Sequence, residues 1–166
     1  MKYANMRHSS TSGRGRAYMD SLVGDVLNQK GWFIHTIEQG ATVFDAIQKM
    51  VDLNIGSLVV TDDGGEMVGI MTERDYLTKV ALEGRSSKTT FVYEIMTKQV
   101  VVIEAGFNMR QCLFLMTEKR CRHLPVVRDG SVQGLISIGD CAREIAHDRD
   151  VTVQYFVDFI QRRYPA

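Results

Sequence analysis

The sequence predicts an α/β (α+β) fold in which two similar units pack about a pseudo-twofold axis, with an amphipathic helix closing the chain. Three observations lead there. The segment Gly69-Ile70-Met71-Thr72-Glu73-Arg74-Asp75 returns as Gly134-Leu135-Ile136-Ser137-Ile138-Gly139-Asp140, 65 residues further on. Apolar periodicity switches between the helical and the extended pattern along each copy, in the order helix, strand, helix, strand, strand, helix. Each copy has only about 60 residues, and a unit of that size hides only about 60% of its unfolded surface, so the two must bury their sheet faces against each other.

In the first copy, residues 21–84, a short helix over Leu22–Leu27 precedes an alternating strand over Trp32–Ile37. Thr42 is an N-cap with Asp45 three positions on, and Ala46, Ile47, Met50 and Val51 form the apolar stripe of the helix that follows. Ser57–Thr61 and Met67–Thr72 are β-branched or apolar runs around the turn residues Asp62-Asp63-Gly64-Gly65, which makes them a hairpin. Glu73–Glu83 continues as a helix. Residues 85–91, with Gly84 before them, form a polar linker that separates the copies as an exposed loop. The second copy, residues 92–147, repeats the series. A helix over Val92–Met96 leads to a strand over Val100–Ile103, and Asn108 caps a helix carrying Met109, Cys112, Leu113 and Met116. Strands over Leu124–Val127 and Val132–Ser137 flank the Asp129-Gly130 turn, and a helix spans Ile138–Ala146. Residues 148–166 place Val153, Phe156, Val157 and Ile160 on one helical stripe, with Arg162 and Arg163 in the last turn, where they suit the helix dipole.

Twenty basic residues balance twenty acidic ones, which argues against a general polyanion binder and leaves no expectation of nucleic-acid binding. The balance is uneven along the chain. Lys2, Arg7, Arg14 and Arg16 precede the first acid, Asp20, in a leader (residues 1–20) that also holds Ser9, Ser10, Thr11 and Ser12. That is the composition of an organellar import signal, of a solvated tail, or of an arm that grips nucleic acid or an acidic partner. No apolar run reaches the length of a membrane span. Cys112, Cys121 and Cys141 are an odd number without a paired spacing and read as packing residues, and the nine methionines read the same way. No HExxH, P-loop or histidine cluster (His8, His35, His123, His147) marks a metal or catalytic site.

In both copies a strand ending in a hydroxyl residue, Thr72 or Ser137, hands over to a helix whose first turn holds an aspartate, Asp75 or Asp140. A carboxylate accepts both hydroxyls of a cis-diol, and a helix start offers N–H groups and partial positive charge to an anion, so the combination selects a ribose phosphate. The local alternative is simple helix capping. The copies differ in charge: Arg74 stands opposite Gly139, and Arg122-His123 opposite Gly56-Ser57. Phosphate contacts should therefore be uneven, with one tight site and one weaker or empty.

The repeated motif, together with Ser57-Leu58-Val59-Val60, His123-Leu124-Pro125-Val126-Val127 and Ile95-Met96-Thr97, resembles tandem cystathionine β-synthase (CBS) domains, whose paired form is called a Bateman module. Asn54-Ile55-Gly56-Ser57-Leu58-Val59-Val60, Thr72-Glu73-Arg74-Asp75-Tyr76 and Gly84-Arg85-Ser86-Ser87 are particularly similar to stand-alone CBS-pair proteins of bacteria and of plant mitochondria and plastids. The resemblance implies a non-catalytic module that regulates by binding an adenine nucleotide between the repeats, AMP first, with ADP, ATP and NAD(H) as alternatives. It gives Asp75 and Asp140 the ribose role, Thr72 and Ser137 the phosphate role, and Arg74, Arg122 and His123 the positive charge. Strand residues, with His35, Ile37 and Pro125 as candidates, would enclose the adenine. It also implies a homodimer acting in trans on a partner protein, of the thioredoxin-system or respiratory kind among plant organellar relatives. The compartment would be the mitochondrial matrix, or the cytoplasm in a bacterium. The competing expectation is an accessory structural subunit of a larger complex, with vestigial or permanently filled sites.

Overall fold

The computed structural model describes residues 4–5 and 21–147. The closing helix expected over 148–166 and most of the leader lie outside them. A two-residue strand β1 (Ala4–Asn5) precedes α1 (Val23–Lys30), β2 (Thr36–Glu38), α2 (Val43–Leu53), β3 (Ser57–Thr61), β4 (Met67–Thr72) and α3 (Glu73–Tyr76), which runs on as a π-helical turn over Leu77–Ala81. The second copy supplies α4 (Val92–Ile95), β5 (Val101–Glu104), α5 (Met109–Lys119), β6 (His123–Arg128), β7 (Ser131–Ser137) and α6 (Ile138–His147). β2, β3 and β4 make one sheet, with β2 parallel and β4 antiparallel to β3. β5, β6 and β7 repeat that pattern, with β1 added parallel to β5. Both hairpins shift register at the matching place, Val60/Thr61 and Val126/Val127.

Alternation along the strands sends one face of each sheet to helices and the other to the opposite sheet. Val59, Met67 and Ile70 of the first copy meet Val100 and Val102 of the second in a shared apolar layer, with Val127, Val132 and Leu135 beside them. Burial of each such side chain stabilises by roughly 1.5–3 kcal/mol, so the layer holds the copies together. The two helix-side cores hold a rearrangement that the sequence order conceals. Val23, Val26 and Leu27 of α1 lie in the core of the second copy, among Ile103, Cys112, Leu124 and Cys141. Val92, Ile95 and Met96 lie in the core of the first, among Val43, Met50, Leu58 and Met71. The copies thus exchange their first helices, and backbone hydrogen bonds pin both exchanges: Val23 N–H to Phe107 O at 2.8 Å, and Val92 N–H to Ala41 O at 3.0 Å.

The exchange explains the glycine that opens each repeated motif. A Cβ on Gly69 would stand 2.8 Å from both Met96 Sδ and the Thr97 carbonyl oxygen, and one on Gly134 would stand 2.6 Å from Leu27 Cδ1. The incoming helix lies directly on the strand at these two places.

Besides the helix expected over Glu73–Glu83, which turns π-helical and ends at Ala81, three segments differ from the sequence expectation. α1 runs past Leu27 to Lys30, because its polar last turn carries no apolar signal and is held by contacts remote in sequence. The ladder of the first strand covers Thr36–Glu38, not Trp32–Ile37. Trp32 turns onto the second copy's core and donates its indole N–H to Asn28 Oδ1 at 2.7 Å, which draws the chain out of line before Thr36. The linker over 85–91 is exposed in part but anchored: Thr90 is buried and its carbonyl accepts the Val43 N–H at 2.9 Å, while Ser87 O accepts the Phe44 N–H. It caps α2 from outside.

Candidate functional site

Where β4 meets α3, the Thr72 hydroxyl accepts the Asp75 N–H at 3.3 Å and donates to Asp75 Oδ2 at 2.7 Å, while that oxygen also accepts the Thr72 N–H at 2.9 Å. Ser137 and Asp140 repeat this box at 2.8 to 3.2 Å where β7 meets α6. Capping and ligand contact are compatible. A carboxylate has about four acceptor positions, and the box uses only one oxygen of each.

A lysine then meets each carboxylate, from a different direction. Lys79 Nζ lies 2.6 Å from Asp75 Oδ1 and 2.6 Å from the Ile95 carbonyl, tying the ribose candidate to the exchanged helix α4. Lys79 stands in the π-helical turn, where Leu82 N–H reaches Leu77 O at 3.1 Å and the Thr78 hydroxyl takes the Arg74 carbonyl at 2.8 Å. A side-chain hydroxyl that occupies an i−4 carbonyl loosens the α ladder there. At Asp140, Lys30 of the exchanged helix α1 reaches Oδ2 at 2.7 Å and the Leu135 carbonyl at 3.0 Å, and Arg143 stands 3.5 Å from Oδ1. Burial works to raise the Asp140 pKa, but Lys30 and the Ser137 N–H and hydroxyl outweigh it and hold the carboxyl below its ordinary value.

A cleft of about 300 Å³ opens between the copies, at the lower end of the roughly 300–1,000 Å³ usual for small-molecule sites. Thr72, Arg74 and Asp75 line it from the first copy, and Arg122 and His123 from the second. Five of the ten candidates from sequence therefore share one wall-to-wall site. Ser137 and Asp140 stand at the pseudo-equivalent place, outside this cleft. Pro125 is buried in β6 opposite Leu135, Ile37 packs on the helix-side core of the first copy, and His35 meets the Phe33 ring edge-on at 5.5 Å. None of these three lines the cleft. Burial, and then the neighbouring Arg122 charge, push the His123 imidazole down to about 4; Asp140 pulls the other way and Lys30 adds to the depression. His123 thus presents a neutral imidazole at neutral pH, where positive charge was expected.

Lys119, Arg120 and Cys121, with Thr97 and Gln99, also line the cleft and were missed from sequence. The run Lys119-Arg120-Cys121-Arg122-His123 was visible as a basic cluster, but only the end of α5 turns it inward. Arg120 takes the left-handed conformation there (φ 53°), as Asn54 does (φ 52°) at the end of α2. Cys112 and Cys141 are buried, their thiols pushed up by burial, Cys141 to about 12, which suits packing rather than reactivity. Among the described residues no helix is long and apolar enough to cross a membrane, and no group of histidine, cysteine or acidic residues is arranged to hold a metal ion.

A profile of the CBS domain matches residues 23–82 and 92–147. The chain belongs to the CBS-domain family. It is similar to the mitochondrial CBS domain-containing protein CBSX3 of Arabidopsis thaliana, at 36% identity over 89% of this chain and 75% of that one. Among solved structures it is similar to a signal-transduction protein with CBS domains from Burkholderia ambifaria, at 43% identity and a TM-score of 0.74, over 80% of this chain and 99% of the other. A hexameric CBS-CP12 protein from bloom-forming cyanobacteria shares 28% identity with a TM-score of 0.71, over 88% and 84% of the two chains. CBS-domain proteins are in general regulatory modules that bind adenosine-containing ligands, and CBS pairs are typically non-catalytic.

Proposed function

We propose that this CBS pair is a non-catalytic sensor that binds an adenine nucleotide in the cleft between its copies and thereby alters a partner protein. The observation that carries the reading is the convergence of Thr72, Arg74 and Asp75 from one copy with Arg122 and His123 from the other on a single cleft. Asp75 takes the ribose hydroxyls through Oδ1, with Lys79 moving aside or sharing the oxygen. Thr72 and the arginines meet phosphate. Because Lys79 also holds the Ile95 carbonyl, engagement of Asp75 reaches the exchanged helix and so the other copy. Couplings of this kind are typically about 1–3 kcal/mol, a fivefold to roughly hundredfold change in partner affinity.

The Asp140 side is the weaker site, since it lies outside the cleft and Arg143 approaches its second carboxylate oxygen in addition to the Lys30 contact on the first. That same contact is the observation favouring a second reading, an accessory subunit of a larger complex in which one site is filled from within. Exposed Phe44, Val51, Leu77, Leu82 and Phe114 offer apolar surface to a second copy, in keeping with a homodimer. The partner is a thioredoxin-system or respiratory protein, and the compartment the mitochondrial matrix, or the cytoplasm in a bacterium. A thermal-shift panel of AMP, ADP, ATP, NAD, NADH and S-adenosylmethionine tests the reading, since a ligand at a hundredfold excess over its Kd adds about 2.7 kcal/mol of stability. Asp75→Ala should abolish the shift and Asp140→Ala should reduce it less. No shift with any nucleotide would overturn the reading.

A further inference from the structure

The two sheets differ at one edge. Thr42 and Asn108 begin α2 and α5, and the left-handed residues Asn54 and Arg120 end them, so the two helices align with an offset of 66 residues. The strands keep that offset, since Ile37 pairs with Val60 as Ile103 pairs with Val126. Thr36 therefore corresponds to Val102, and Lys49 to Leu115. In β2, His35 O accepts the Val59 N–H at 3.0 Å and the Gln39 N–H donates to Thr61 O at 2.8 Å. Residues 35, 37 and 39 thus bond to β3, and the backbone groups of Thr36 point out of the sheet. The first copy closes this edge from within, because Lys49 Nζ donates to the Thr36 carbonyl at 2.7 Å. Lysine on an edge is a recurrent device against pairing with another chain. The second copy places Leu115 there, buried in its core, and the outer edge of β5 receives β1 instead, Ala4 beside Val101 and Asn5 beside Val102. One edge is blunted and the other accepts a strand.

The strand that fills the accepting edge is short. β1 pairs over two residues where β5 has four, Val101–Glu104. Residues 6–20 separate β1 from the body, and the entropy of closing a loop of that length offsets much of what so short a ladder contributes. The leader is therefore an exchangeable occupant. A second copy's leader would pair no further and would lose association entropy besides, whereas a longer strand gains the rest of β5. Val101 and Ile103 pack on the helix-side core of the second copy, and Val102 lies in the layer between the sheets. Side chains on an added strand share the faces of their neighbours. The segment that fits is apolar beside Val101 and Ile103 and basic beside the exposed Glu104.

We propose that the outer edge of β5 is a docking site for an extended segment of a partner protein, running parallel to β5 with apolar residues beside Val101 and Ile103 and a cation beside Glu104, and that β1 holds the place in its absence. In strand addition of this kind main-chain hydrogen bonds give affinity and alternate side chains give selectivity. The site does not depend on nucleotide binding. Val101 also lines the cleft, so a strand seated on β5 borders the nucleotide.

A fluorescein-labelled peptide of residues 1–10 is the probe, since Met6 and Arg7 follow Asn5 with the apolar and basic character the edge should favour. It is titrated by fluorescence polarisation into the full chain and into the full chain carrying both Ala4→Pro and Asn5→Pro, which removes the leader's own N–H donors. The double variant should bind the peptide saturably and at least about fivefold tighter than the parent, whose tethered leader competes. A peptide carrying the same two prolines should not bind. Amide exchange followed by NMR should show Val102 losing protection in the double variant and regaining it with the peptide, while Thr36 stays unchanged. No binding to the double variant, equal binding to the parent, binding of the proline peptide, or a Val102 amide indifferent to the peptide would overturn the proposal. A parent dimer that the two prolines dissociate would make the occupant a second copy and overturn the assignment to a partner protein.

Discussion

Replacing His123 by glutamine tests the electrostatics of the cleft without a nucleotide. The imidazole has an ordinary pKa of 6.5 in the unfolded chain and about 4 in the folded one, through burial and the Arg122 charge. Because the folded value is the lower, the unfolded chain takes up the proton first. Stability is therefore full above about pH 6.5, falls as pH drops through the window between 6.5 and 4, and loses nothing further from this group below 4. At pH 5 the unfolded imidazole is mostly charged and the folded one mostly neutral, and the difference amounts to about 2 kcal/mol. Urea unfolding at pH 7.5 and pH 5 measures it. The parent should lose about 2 kcal/mol more than His123→Gln between these pH values, because carboxylate contributions are common to both proteins. Equal losses within about 0.5 kcal/mol would show that the imidazole is neither buried nor pressed by Arg122, and the geometry assigned to the cleft wall would be wrong.

Gly69→Ala should destabilise the fold by about 1–3 kcal/mol in chemical denaturation, since the added methyl meets a backbone carbonyl that cannot move alone. Thr72→Ala removes the cap of α3 and should cost about 1 kcal/mol of thermal stability. Lys30→Met removes the partner that holds Asp140 below its ordinary value. The variant should be less stable than the parent by about 1–3 kcal/mol at pH 7, and the gap should begin to close as the pH falls below the ordinary carboxyl value of 3.8 and vanish once it passes the lower value that Asp140 has in the folded parent. Thermal melts at pH 7 and pH 3 check this sign.

Much of the architecture was legible because it is written in local signals. Thr42 and Asn108 announce their helices by capping chemistry, and both do cap, at 3.1 Å and 2.8 Å. The hairpins follow from β-branched runs and turn residues. The exchange of α1 and α4 was not legible, since apolar stripes state that a helix must be covered and not by which sheet. The π-turn at Leu77–Ala81 accompanies one hydroxyl, Thr78, donating to the Arg74 carbonyl, which no periodicity records. At the site, the motif residues declared themselves by repetition. Arg74 and Arg122 were singled out, but their meeting in one cleft depends on how the copies face each other across the Val59, Ile70 and Val102 layer. Lys119 and Arg120 lay in plain view as charges and became site residues only through the left-handed end of α5. Ile37 and Pro125 illustrate the converse: in a strand the face is decided by a period of two, and neither of them lines the cleft, nor does His35 just before β2.

A structure of the protein crystallised with a non-hydrolysable ATP analogue tests the central claim most directly. The nucleotide should lie between the copies with its ribose hydroxyls within hydrogen-bond distance of Asp75 Oδ1 and its phosphates against Thr72, Arg74 and Arg122. A nucleotide seated elsewhere, or a ribose turned away from Asp75, would contradict it.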